Sequence, residues 1–414
     1  MLMGSQDENF MQMALRLAKR GIGSVEPNPA VGCIIVKEGR IIGKGRHKKF
    51  GGPHAEINAL QNCKTLGINS RGATMYVTLE PCCHYGKTPP CTDAIIAAGI
   101  AKVVAATIDP SPHANGAGMK QLREAGIEAR TGVCETEARI LNAPFIKFAA
   151  AGKCWVILKW AQSIDGKVAY ASGGLFTAEH AESTERELLK LDLGSAKSAV
   201  KSFNSRWISN ELSRKDAHRL RRRVQAILVG VNTVIADDPL LTARPSRGKK
   251  PARIVLDTHL RIPLNCRLLA TAKKVPVLVV TNEGAVKANS DIVDKIAHKG
   301  AELLTVPMDQ GRCDIESLLD ELSSRGVTQL LVEGGPTVLT SFLKRELADE
   351  ICVYIAPKIL GGAGSAAITG PMMELSEALG LHYVDVKRFA DDIRLTGLTE
   401  KALRQLSILG AENC

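Results

Sequence analysis

The stretch EPCCHYGKTPPC at residues 80–91, together with GGPHAE at residues 51–56, contains the pattern that best defines the first half of this sequence. Cys82 follows a proline at the end of an apolar run, whereas Cys91 and His54 each precede a helical stretch. One imidazole and two thiolates are three protein ligands, and a catalytic zinc site has three protein ligands and one open position. Because helix starts also stabilise thiolates, the pattern predicts a zinc site held by residues at the end of a strand and at the starts of two helices.

Glu56 lies two residues beyond His54. At that spacing its carboxylate can face the metal without binding it, take a proton from water and deliver it to a leaving amine. Zinc nucleobase deaminases share the order H-x-E followed by P-C, with the next cysteine three residues later. Here the next motif cysteine, Cys91, follows Cys82 by nine residues. We therefore predict a hydrolytic deaminase with Glu56 as its catalytic residue.

Two other interpretations of these residues stay open at this point. His54 and the cysteines could be ordinary core residues, or they could hold a structural zinc with Cys83 or His84 as the fourth ligand. A structural site gives Glu56 no task, which favours the catalytic interpretation.

Hydrophobic periodicity predicts that residues 1–147 form one α/β domain. A helix capped by Asp7 and stopped at Gly21 precedes a strand hairpin, and three more strands then alternate with helices. The last helix is predicted as one continuous segment, TEARILNAPFIKFAA, at residues 136–150. The small-residue stretch around residues 148–153 is the predicted linker.

Residues 154–414 are predicted to form a second α/β domain. Its apolar strands are predicted at residues 155–162, 226–231, 253–257, 275–281, 329–335 and 350–357, with helical stretches between most of them. No G-x-G-x-x-G follows the first of these strands, which argues against an ordinary Rossmann dehydrogenase.

Composition limits the class of protein. A length of 414 residues predicts two domains, and a net charge of +11 favours anionic partners. The aromatic content of 4% is unfavourable for a nucleic-acid stacking surface. The start of the chain lacks a signal-peptide pattern, no apolar run suits a membrane span, and the eleven cysteines are unevenly spaced. We expect a cytoplasmic protein with free thiols and neither a nucleic-acid nor a membrane partner.

With PNPAVG at residues 27–32, the two zinc-site segments closely resemble the bacterial bifunctional riboflavin-biosynthesis deaminase/reductase family. The resemblance continues in LKWAQSIDGK (158–167), VNTVIADDPLLTAR (231–244) and LVEGGPTVL (331–339). It implies an N-terminal cytidine-deaminase-like α/β/α domain that deaminates 2,5-diamino-6-(5-phosphoribosylamino)pyrimidin-4(3H)-one. It also implies a C-terminal dihydrofolate-reductase-like α/β domain that reduces the ribosyl group with NADPH. Zn²⁺, NADPH, a small phosphorylated pyrimidine and a homo-oligomer follow from the same resemblance.

The resemblance also implies roles for individual residues. The deaminase substrate would contact Asn28, His47, His84 and Lys87. The reductase cofactor would contact Ala161, Trp207, Thr233, Asp237, Gly335, Pro336, Thr337, Val338, Leu339, Thr340 and Ser341. The reductase substrate would contact Lys159, Ser205, Arg221, Leu241, Arg244 and Glu333. Among these, the guanidinium groups of Arg221 and Arg244 suit a phosphomonoester, because they can bind phosphate bidentately.

One departure from the family is an insertion at residues 174–204, between ASG at 171–173 and SRWIS at 205–209. It could be a surface excursion, a lid or an oligomer contact. We expect a surface excursion, because the flanking motifs are intact. A variant that lacks residues 174–204 should then keep its reductase activity, and a collapse of that activity would contradict the expectation.

Two other functions are alternatives to the bifunctional enzyme. One is a nucleic-acid deaminase with an accessory domain, which the long loop between Cys82 and Cys91 and the motifs of the second half oppose. The other is a non-catalytic zinc protein, in which Glu56 would have no role.

Overall fold

The computed structural model describes residues 6–86, 89–170, 207–244, 250–369 and 378–407. Lys87, Ser205 and the insertion at 174–204 lie outside these ranges. The described chain groups into two compact units, one formed by the residues up to Lys153 with residues 405–407, and the other by Cys154–Arg404. No helix within the described ranges has the length and apolar character needed to cross a bilayer.

The first unit is built on a five-stranded mixed sheet with the strand order β2-β1-β3-β4-β5. The β1–β2 and β1–β3 pairs are antiparallel, whereas the β3–β4 and β4–β5 pairs are parallel. The strands are β1 (Gly32–Lys37), β2 (Arg40–Arg46), β3 (Thr74–Val77), β4 (Lys102–Ala105) and β5 (Glu128–Thr131). The helices are α1 (Gln6–Lys19), α2 (Ala55–Thr65), α3 (Cys91–Ala97), α4 (Ala117–Glu124), α5 (Glu135–Leu141) and α6 (Ala143–Ala151).

Helices cover both faces of this sheet, because alternate strand residues point to opposite faces. On one face Met75 and Val103 pack with residues of α2, α3 and α4. On the other face Tyr76 and Val104 pack with residues of α1 and α5. The sheet is therefore the middle layer of three, and the carboxyl end of β3 leads directly to the segment that carries Cys82.

The single helix predicted over residues 136–150 is wrong, since the structure has two helices, α5 and α6, that meet at Asn142. Asn142 is buried and separates the two helices. Its side-chain amide accepts a hydrogen bond from the Ala30 backbone N–H at 2.8 Å and donates one to the Ala30 carbonyl at 3.1 Å. Pro144 then lies in the first turn of α6, where its missing N–H costs no helical hydrogen bond. Because α6 runs to Ala151, most of the predicted linker is helical.

The second unit contains a nine-stranded sheet with the order β11-β10-β9-β8-β14-β6-β15-β18-β17. Its strands from β11 to β15 in this order are parallel, and the edge strands β18 and β17 are antiparallel. The sheet strands are β6 (Trp155–Ser163), β8 (Ala226–Gly230), β9 (Ala252–Leu256), β10 (Val277–Thr281), β11 (Glu302–Thr305), β14 (Gln329–Val332), β15 (Glu350–Ala356), β17 (Leu381–Phe389) and β18 (Asp392–Thr399).

Shorter strands and the helices complete this unit. Two small antiparallel pairs are formed by β7 (Lys167–Tyr170) with β16 (Gly364–Ala366) and by β12 (Met308–Asp309) with β13 (Arg312–Cys313). The helices are α7 (Glu211–Arg223), α8 (Val231–Asp237), α9 (Arg267–Ala270), α10 (Glu283–Ala288), α11 (Ser290–His298), α12 (Ile315–Ser324), α13 (Pro336–Lys344) and α14 (Glu400–Gln405).

The strand order creates a crevice between β8 and β14. After β8 the chain continues outward to β9, whereas after β14 it passes β6 and continues to β15 on the other side. Connections that leave neighbouring parallel strands in opposite directions open a crevice at the carboxyl ends of those strands. The segments that border this crevice are 230–237 after β8 and 333–339 after β14, and both contain residues predicted at the cofactor.

Candidate active sites

The three predicted zinc ligands lie together in the first unit. His54 Nδ1, Cys82 Sγ and Cys91 Sγ are all within 4.8 Å of one another. The two sulfur atoms are 3.5 Å and 3.3 Å from the imidazole nitrogen, respectively. One nitrogen and two sulfur donors at this separation suit zinc, and they leave one position for a further ligand.

Close packing between backbone segments holds these ligands in place. His54 is the N-cap residue of α2, and α2 lies directly on β2 at Gly45, where a Cβ would be 2.0 Å from the Ala55 carbonyl oxygen. Cys91 is the first residue of α3, and its backbone N–H donates to Cys82 Sγ at 3.4 Å. Hydrogen bonds from Cys91 and then from His54 lower the pKa of the Cys82 thiol to about 4.

The structure separates the catalytic interpretation of this site from the structural one. Among the described residues, the group of potential ligands contains three members, and neither Cys83 nor His84 belongs to it. Glu56 is buried beside them, and its Oε2 atom has no hydrogen-bond partner in the described chain. Burial raises the pKa of the Glu56 carboxyl. A three-ligand set with a buried carboxylate beside it is the arrangement expected for proton transfer at a catalytic zinc.

A cleft of about 310 Å³ adjoins the ligands, and Asn28, His47, Glu56 and His84 line it. His47 Nδ1 is 3.0 Å from the Pro53 carbonyl oxygen, so this nitrogen carries the proton. His47 Nε2 is therefore the acceptor for the Asn28 amide, 3.5 Å away. Burial lowers the pKa of His47, which keeps its ring neutral. The predicted substrate residues within the described chain thus share one cleft, with the Asn28 amide oriented by His47.

Glu80 also lines this cleft, and the sequence analysis gave it no role. Its buried carboxylate accepts four backbone N–H groups, from Asp109 (3.1 Å), Gly116 (2.9 Å), Gly118 (2.8 Å) and Met119 (3.2 Å). It thereby fastens the segment 109–119 to the segment that carries Cys82. In the sequence, Glu80 is marked only as an acidic residue at the end of a predicted buried strand. Its hydrogen-bond partners could not be predicted, because they lie 29 to 39 residues further along the chain.

In the second unit, a cavity at the β8–β14 crevice contains many of the residues predicted to contact cofactor or substrate. Those that line it are Lys159, Ala161, Trp207, Thr233, Asp237, Glu333, Gly335, Pro336 and Leu339. Ser213, Arg214 and Tyr354 line it too, although the sequence analysis did not name them. The guanidinium carbon of Arg214 is 4.3 Å from the centroid of the Trp207 ring, a distance typical of a cation–π contact.

Glu333 is held in this cavity by two cations. The buried Arg221 donates to both of its carboxylate oxygens at 2.8 Å, and Lys159 Nζ lies 3.8 Å from Oε2. Burial opposes ionisation of Glu333, but the charges of Arg221 and Lys159 outweigh it and lower its pKa to about 2. Arg221 also donates to the Thr242 carbonyl at 3.1 Å, so it connects Glu333 to the segment 241–244.

Three residues predicted at the reductase substrate, Arg221, Leu241 and Arg244, are not among the residues that line this cavity in the described structure. Leu241 is fully buried, and the guanidinium group of Arg221 is engaged by Glu333. Their contact with substrate stays a prediction, and the structure assigns Arg221 a direct contact with Glu333 instead.

A second cleft, of about 330 Å³, adjoins this cavity, and Thr233, Gly335 and Pro336 line both spaces. Thr337, Val338 and Ser341, which were predicted at the cofactor, line this cleft. Thr340 lies along a neighbouring depression. The cofactor residues predicted on α13 therefore divide among neighbouring spaces that border this helix.

The first unit has the three-ligand set and buried carboxylate of a zinc-dependent deaminase, and the second is an α/β domain with a ligand-sized crevice at its β8–β14 switch point. Residues 4–107 match the family model described as the cytidine and deoxycytidylate deaminase zinc-binding region. Residues 196–395 match the model described as the RibD C-terminal domain. These matches confirm the expected fold class of both halves.

Full-length relatives give the same result. The riboflavin biosynthesis protein RibD of Aquifex aeolicus is 42% identical over 94% of this chain and 97% of its own length. Acinetobacter baumannii RibD has a solved structure with a TM-score of 0.76 and 35% identity, covering 95% of this chain and 99% of that one. The diaminohydroxyphosphoribosylaminopyrimidine deaminase/5-amino-6-(5-phosphoribosylamino)uracil reductase of Thermotoga maritima has a TM-score of 0.75 and 34% identity, covering 95% and 99%. The chain belongs to the RibD family and is a bifunctional deaminase and reductase, which confirms the expectation from the sequence motifs.

Proposed function

We propose that the first unit deaminates 2,5-diamino-6-(5-phosphoribosylamino)pyrimidin-4(3H)-one. We propose also that the second unit reduces the ribosyl group of the product to a ribityl group with NADPH. The observation that carries the proposal is the three-ligand set with Glu56 beside it, in one chain with the β8–β14 crevice. The similarity to the Thermotoga maritima enzyme supports this choice of substrates.

In the proposed deamination, His54, Cys82 and Cys91 hold zinc and Glu56 moves the protons. A bound zinc ion supplies the Lewis acidity that makes water nucleophilic near neutral pH. Glu56 accepts a proton from the attacking water and delivers it to the departing amine, which leaves as ammonia. Its buried Oε2 atom has no other hydrogen-bond partner in the described chain, so that atom is available for the proton.

Recognition of the pyrimidine is assigned to the cleft beside Glu56. Asn28, oriented by His47, presents an amide that can read donor and acceptor atoms of the ring. His84 lines the same cleft, and Lys87 follows it by three residues in the sequence. We assign these two residues to the phosphoribosyl end of the substrate, because the Lys87 ammonium group suits a phosphate and the His84 ring can donate a hydrogen bond.

The proposed reduction delivers hydride to C1′ of the ribose while the bond from C1′ to the ring oxygen opens. The ring oxygen then gains a proton, so one hydride and one proton convert the ribosyl group to a ribityl group. Lys159 lines the cavity and is assigned to deliver that proton, with Glu333 holding its ammonium group. The dihydronicotinamide of the cofactor supplies the hydride when it is bound.

The residues of the crevice fit a dinucleotide. The backbone N–H groups that follow Pro336 at the start of α13 suit a pyrophosphate, and both spaces border this turn. We place the nicotinamide half beside Ala161, Trp207 and Asp237, which line the first cavity together with Lys159. The cationic second cleft favours NADPH over NADH.

A coupled assay with separate readouts tests the proposal. Purified zinc-loaded protein receives the diaminopyrimidine ribosylamine phosphate, and ammonia release and NADPH oxidation are followed independently. We expect ammonia first and NADPH oxidation only after it. Folded, zinc-loaded protein that gives neither signal would contradict the proposed function.

A further inference from the structure

We propose that Arg261 and Arg312 recognise the 2′-phosphate of NADPH and set the preference of the reductase for NADPH over NADH. This inference rests on the proposed reductase function. Both arginines line the second cleft, which adjoins the start of α13. Neither residue was named in the sequence analysis, because 50 residues separate them in the chain and neither belongs to a recognisable motif.

The position of the second cleft identifies which part of the dinucleotide it receives. The first cavity contains Lys159 and Glu333, the predicted substrate residues, so the reactive nicotinamide belongs there. The two spaces share Thr233, Gly335 and Pro336 at the start of α13, where the pyrophosphate fits. An extended dinucleotide with its centre at that point places its adenosine half in the second cleft.

The charges of the second cleft favour a ribose that carries a phosphate. In Rossmann-type sites an acidic residue binds the free ribose hydroxyl of NAD, whereas an arginine accommodates the 2′-phosphate of NADP, and the same charge complementarity applies to this cleft. Among the described residues, no Asp or Glu lines this cleft, but His259, Arg261, Arg312 and Arg345 do. The cleft thus has the cations for a phosphate and lacks the carboxylate for a bare ribose.

Ion pairing selects two of the three arginines. The Arg345 guanidinium binds the carboxylates of Asp309 and Asp314, so its charge is already neutralised. Arg261 makes no ion pair within the described residues, and its Nη2 donates to the Asn232 side-chain oxygen at 3.1 Å. Arg312, on the β12–β13 hairpin, is exposed and has no ion pair in the same part of the chain. Arg261 and Arg312 are therefore the guanidinium groups available to a new anion.

Hydrogen bonds to the buried Asp257 and to Thr258 fix the loop that carries Arg261. Asp257 accepts the backbone N–H groups of Arg261 and Ile262 at 2.9 Å and 2.8 Å. The carbonyl of Thr258 accepts from the Asn282 amide at 2.7 Å, and its hydroxyl accepts from the backbone N–H of Cys313 at 3.3 Å. This last bond joins the loop to the residue next to Arg312. The two arginines are thus presented by connected segments, which lowers the entropic cost of binding one phosphate between them.

Binding of two nucleotide fragments tests the proposal without catalysis. Adenosine 2′,5′-bisphosphate and adenosine 5′-monophosphate are titrated by calorimetry into the full-length protein and into Arg261→Ala, Arg312→Ala and Lys344→Ala. Lys344 is the matched control, because it is a cation on α13 that does not line the second cleft. Loss of one charge-assisted contact should weaken the bisphosphate about tenfold or more. Each arginine variant should bind the monophosphate within about twofold of the wild type. The control variant should bind both fragments within about twofold of the wild type.

The outcomes separate this inference from the proposed function. If the wild type prefers the bisphosphate and NADPH but neither arginine variant changes that preference, the inference is wrong and the reductase function stands. If folded wild type binds neither NADPH nor NADH, the proposed reductase function itself fails. If an arginine variant binds both fragments more weakly by the same factor, that arginine supports the cleft in general and does not recognise the 2′-phosphate. Arg261→Lys and Arg312→Lys keep the charge, so a partial loss in them supports phosphate recognition by the guanidinium fork.

Discussion

Two buried carboxylates in the first unit, Glu56 and Glu80, have opposite hydrogen-bond environments. Glu80 accepts four backbone N–H groups, whereas Glu56 Oε2 has no partner in the described chain. A buried carboxylate oxygen without a partner is costly, and a protein retains one where a ligand or substrate completes its contacts. The contrast supports the proposed proton transfer by Glu56 and indicates that Glu80 positions the segments that it joins.

Replacing Glu56 by Gln should abolish deamination and leave the zinc site intact. The amide keeps the size of the side chain but cannot carry the proton, so ammonia release should fall by about 10²- to 10⁴-fold. Zinc content, measured by elemental analysis, should stay at the wild-type value. NADPH oxidation on the deaminated intermediate is the internal control. Loss of both activities would show that the two sites are not independent.

Replacing Glu80 by Gln should raise KM for deamination about tenfold with little change in kcat. In the variant, an NH₂ group replaces one carboxylate oxygen that accepts two backbone N–H groups. Two donors would then face a donor, so the segment 109–119 beside the cleft should shift. Ammonia release at varied substrate concentration measures the split between KM and kcat.

Tyr76→Phe is the control for lost stability in the Glu80 experiment. It removes a hydrogen bond to Asp7 on the other face of the sheet, far from the cleft residues. Thermal unfolding by circular dichroism compares the two variants. If the Glu80 variant loses stability with an unchanged KM, its role is structural only.

The pair of Arg221 and Glu333 predicts a pH-dependent stability of the second unit. The pKa of Glu333 is about 2 in the folded chain against an ordinary value of 4.5. The ionised pair therefore stabilises the folded state fully above pH 4.5, and this contribution is lost as the pH falls toward 2. The contribution is on the order of 3 kcal/mol.

Tryptophan fluorescence can follow this unfolding, because all three tryptophans, Trp155, Trp160 and Trp207, belong to the second unit. Urea midpoints should fall between pH 5 and pH 3 in the wild type. Glu333→Gln should be less stable at pH 7 and should lose most of that slope. An unchanged slope in the variant would assign the pH dependence to other groups.

At the residue scale, the sequence was sufficient to predict which residues come together where they belong to short motifs. His54 with Glu56, and Cys82 with Cys91, could be grouped by their order in the chain and their positions at helix starts and after a strand, and the structure places the three ligands within 4.8 Å. The contact of Arg221 with Glu333 joins residues 112 positions apart, and no spacing rule predicts it. The sequence shows the charge of Arg221, which suits a phosphate, but not its contact with Glu333.

At the scale of elements, the segments that follow β8 and β14 approach each other closely because both carry glycine. A Cβ at Gly230 would lie 2.9 Å from Val338 Cγ2, and a Cβ at Gly334 would lie 2.6 Å from Val338 Cβ. The absence of two side chains therefore brings the first turn of α13 against the end of β8. This contact positions the end of β8 and the first turn of α13, against which the cofactor is proposed to lie.

A double-mutant cycle tests this contact. Gly230→Ala should destabilise the second unit by about 1–3 kcal/mol, because the new methyl group meets Val338 Cγ2. Val338→Ala removes that methyl group, so the double variant should be more stable than the sum of the single effects predicts. Urea unfolding followed by tryptophan fluorescence measures all three variants. Strictly additive losses would mean that the residue added at Gly230 is accommodated elsewhere.

Elements were predictable where periodicity was strong and local. The strands and helices of the first unit were expected in their observed order, but the break between α5 and α6 depends on the bonds of Asn142 to Ala30. The hairpin β17–β18 was not predicted. Its first strand is exposed along nearly its whole length and lacks the apolar alternation that marks a half-buried strand.

At the scale of the whole molecule, the chain has separate hydrophobic clusters in its two units. Two clusters sandwich the sheet of the first unit, and another packs against the large sheet of the second. The two-domain organisation followed from chain length and from the change of motifs. The position of β14 between β8 and β6 could not be predicted from the sequence, because strand order depends on contacts between segments about 100 residues apart.

Separate cores predict that removal of zinc affects one activity only. A chelator should abolish ammonia release, since His54, Cys82 and Cys91 all belong to the first unit. NADPH oxidation on the deaminated intermediate should change less than about twofold, and tryptophan fluorescence should stay native, because the reporting residues lie in the other unit. Added zinc should restore deamination. A parallel loss of NADPH oxidation would show that the second unit depends on the metal-bound state of the first. Glu56→Gln, which keeps the metal, would then separate loss of zinc from loss of chemistry.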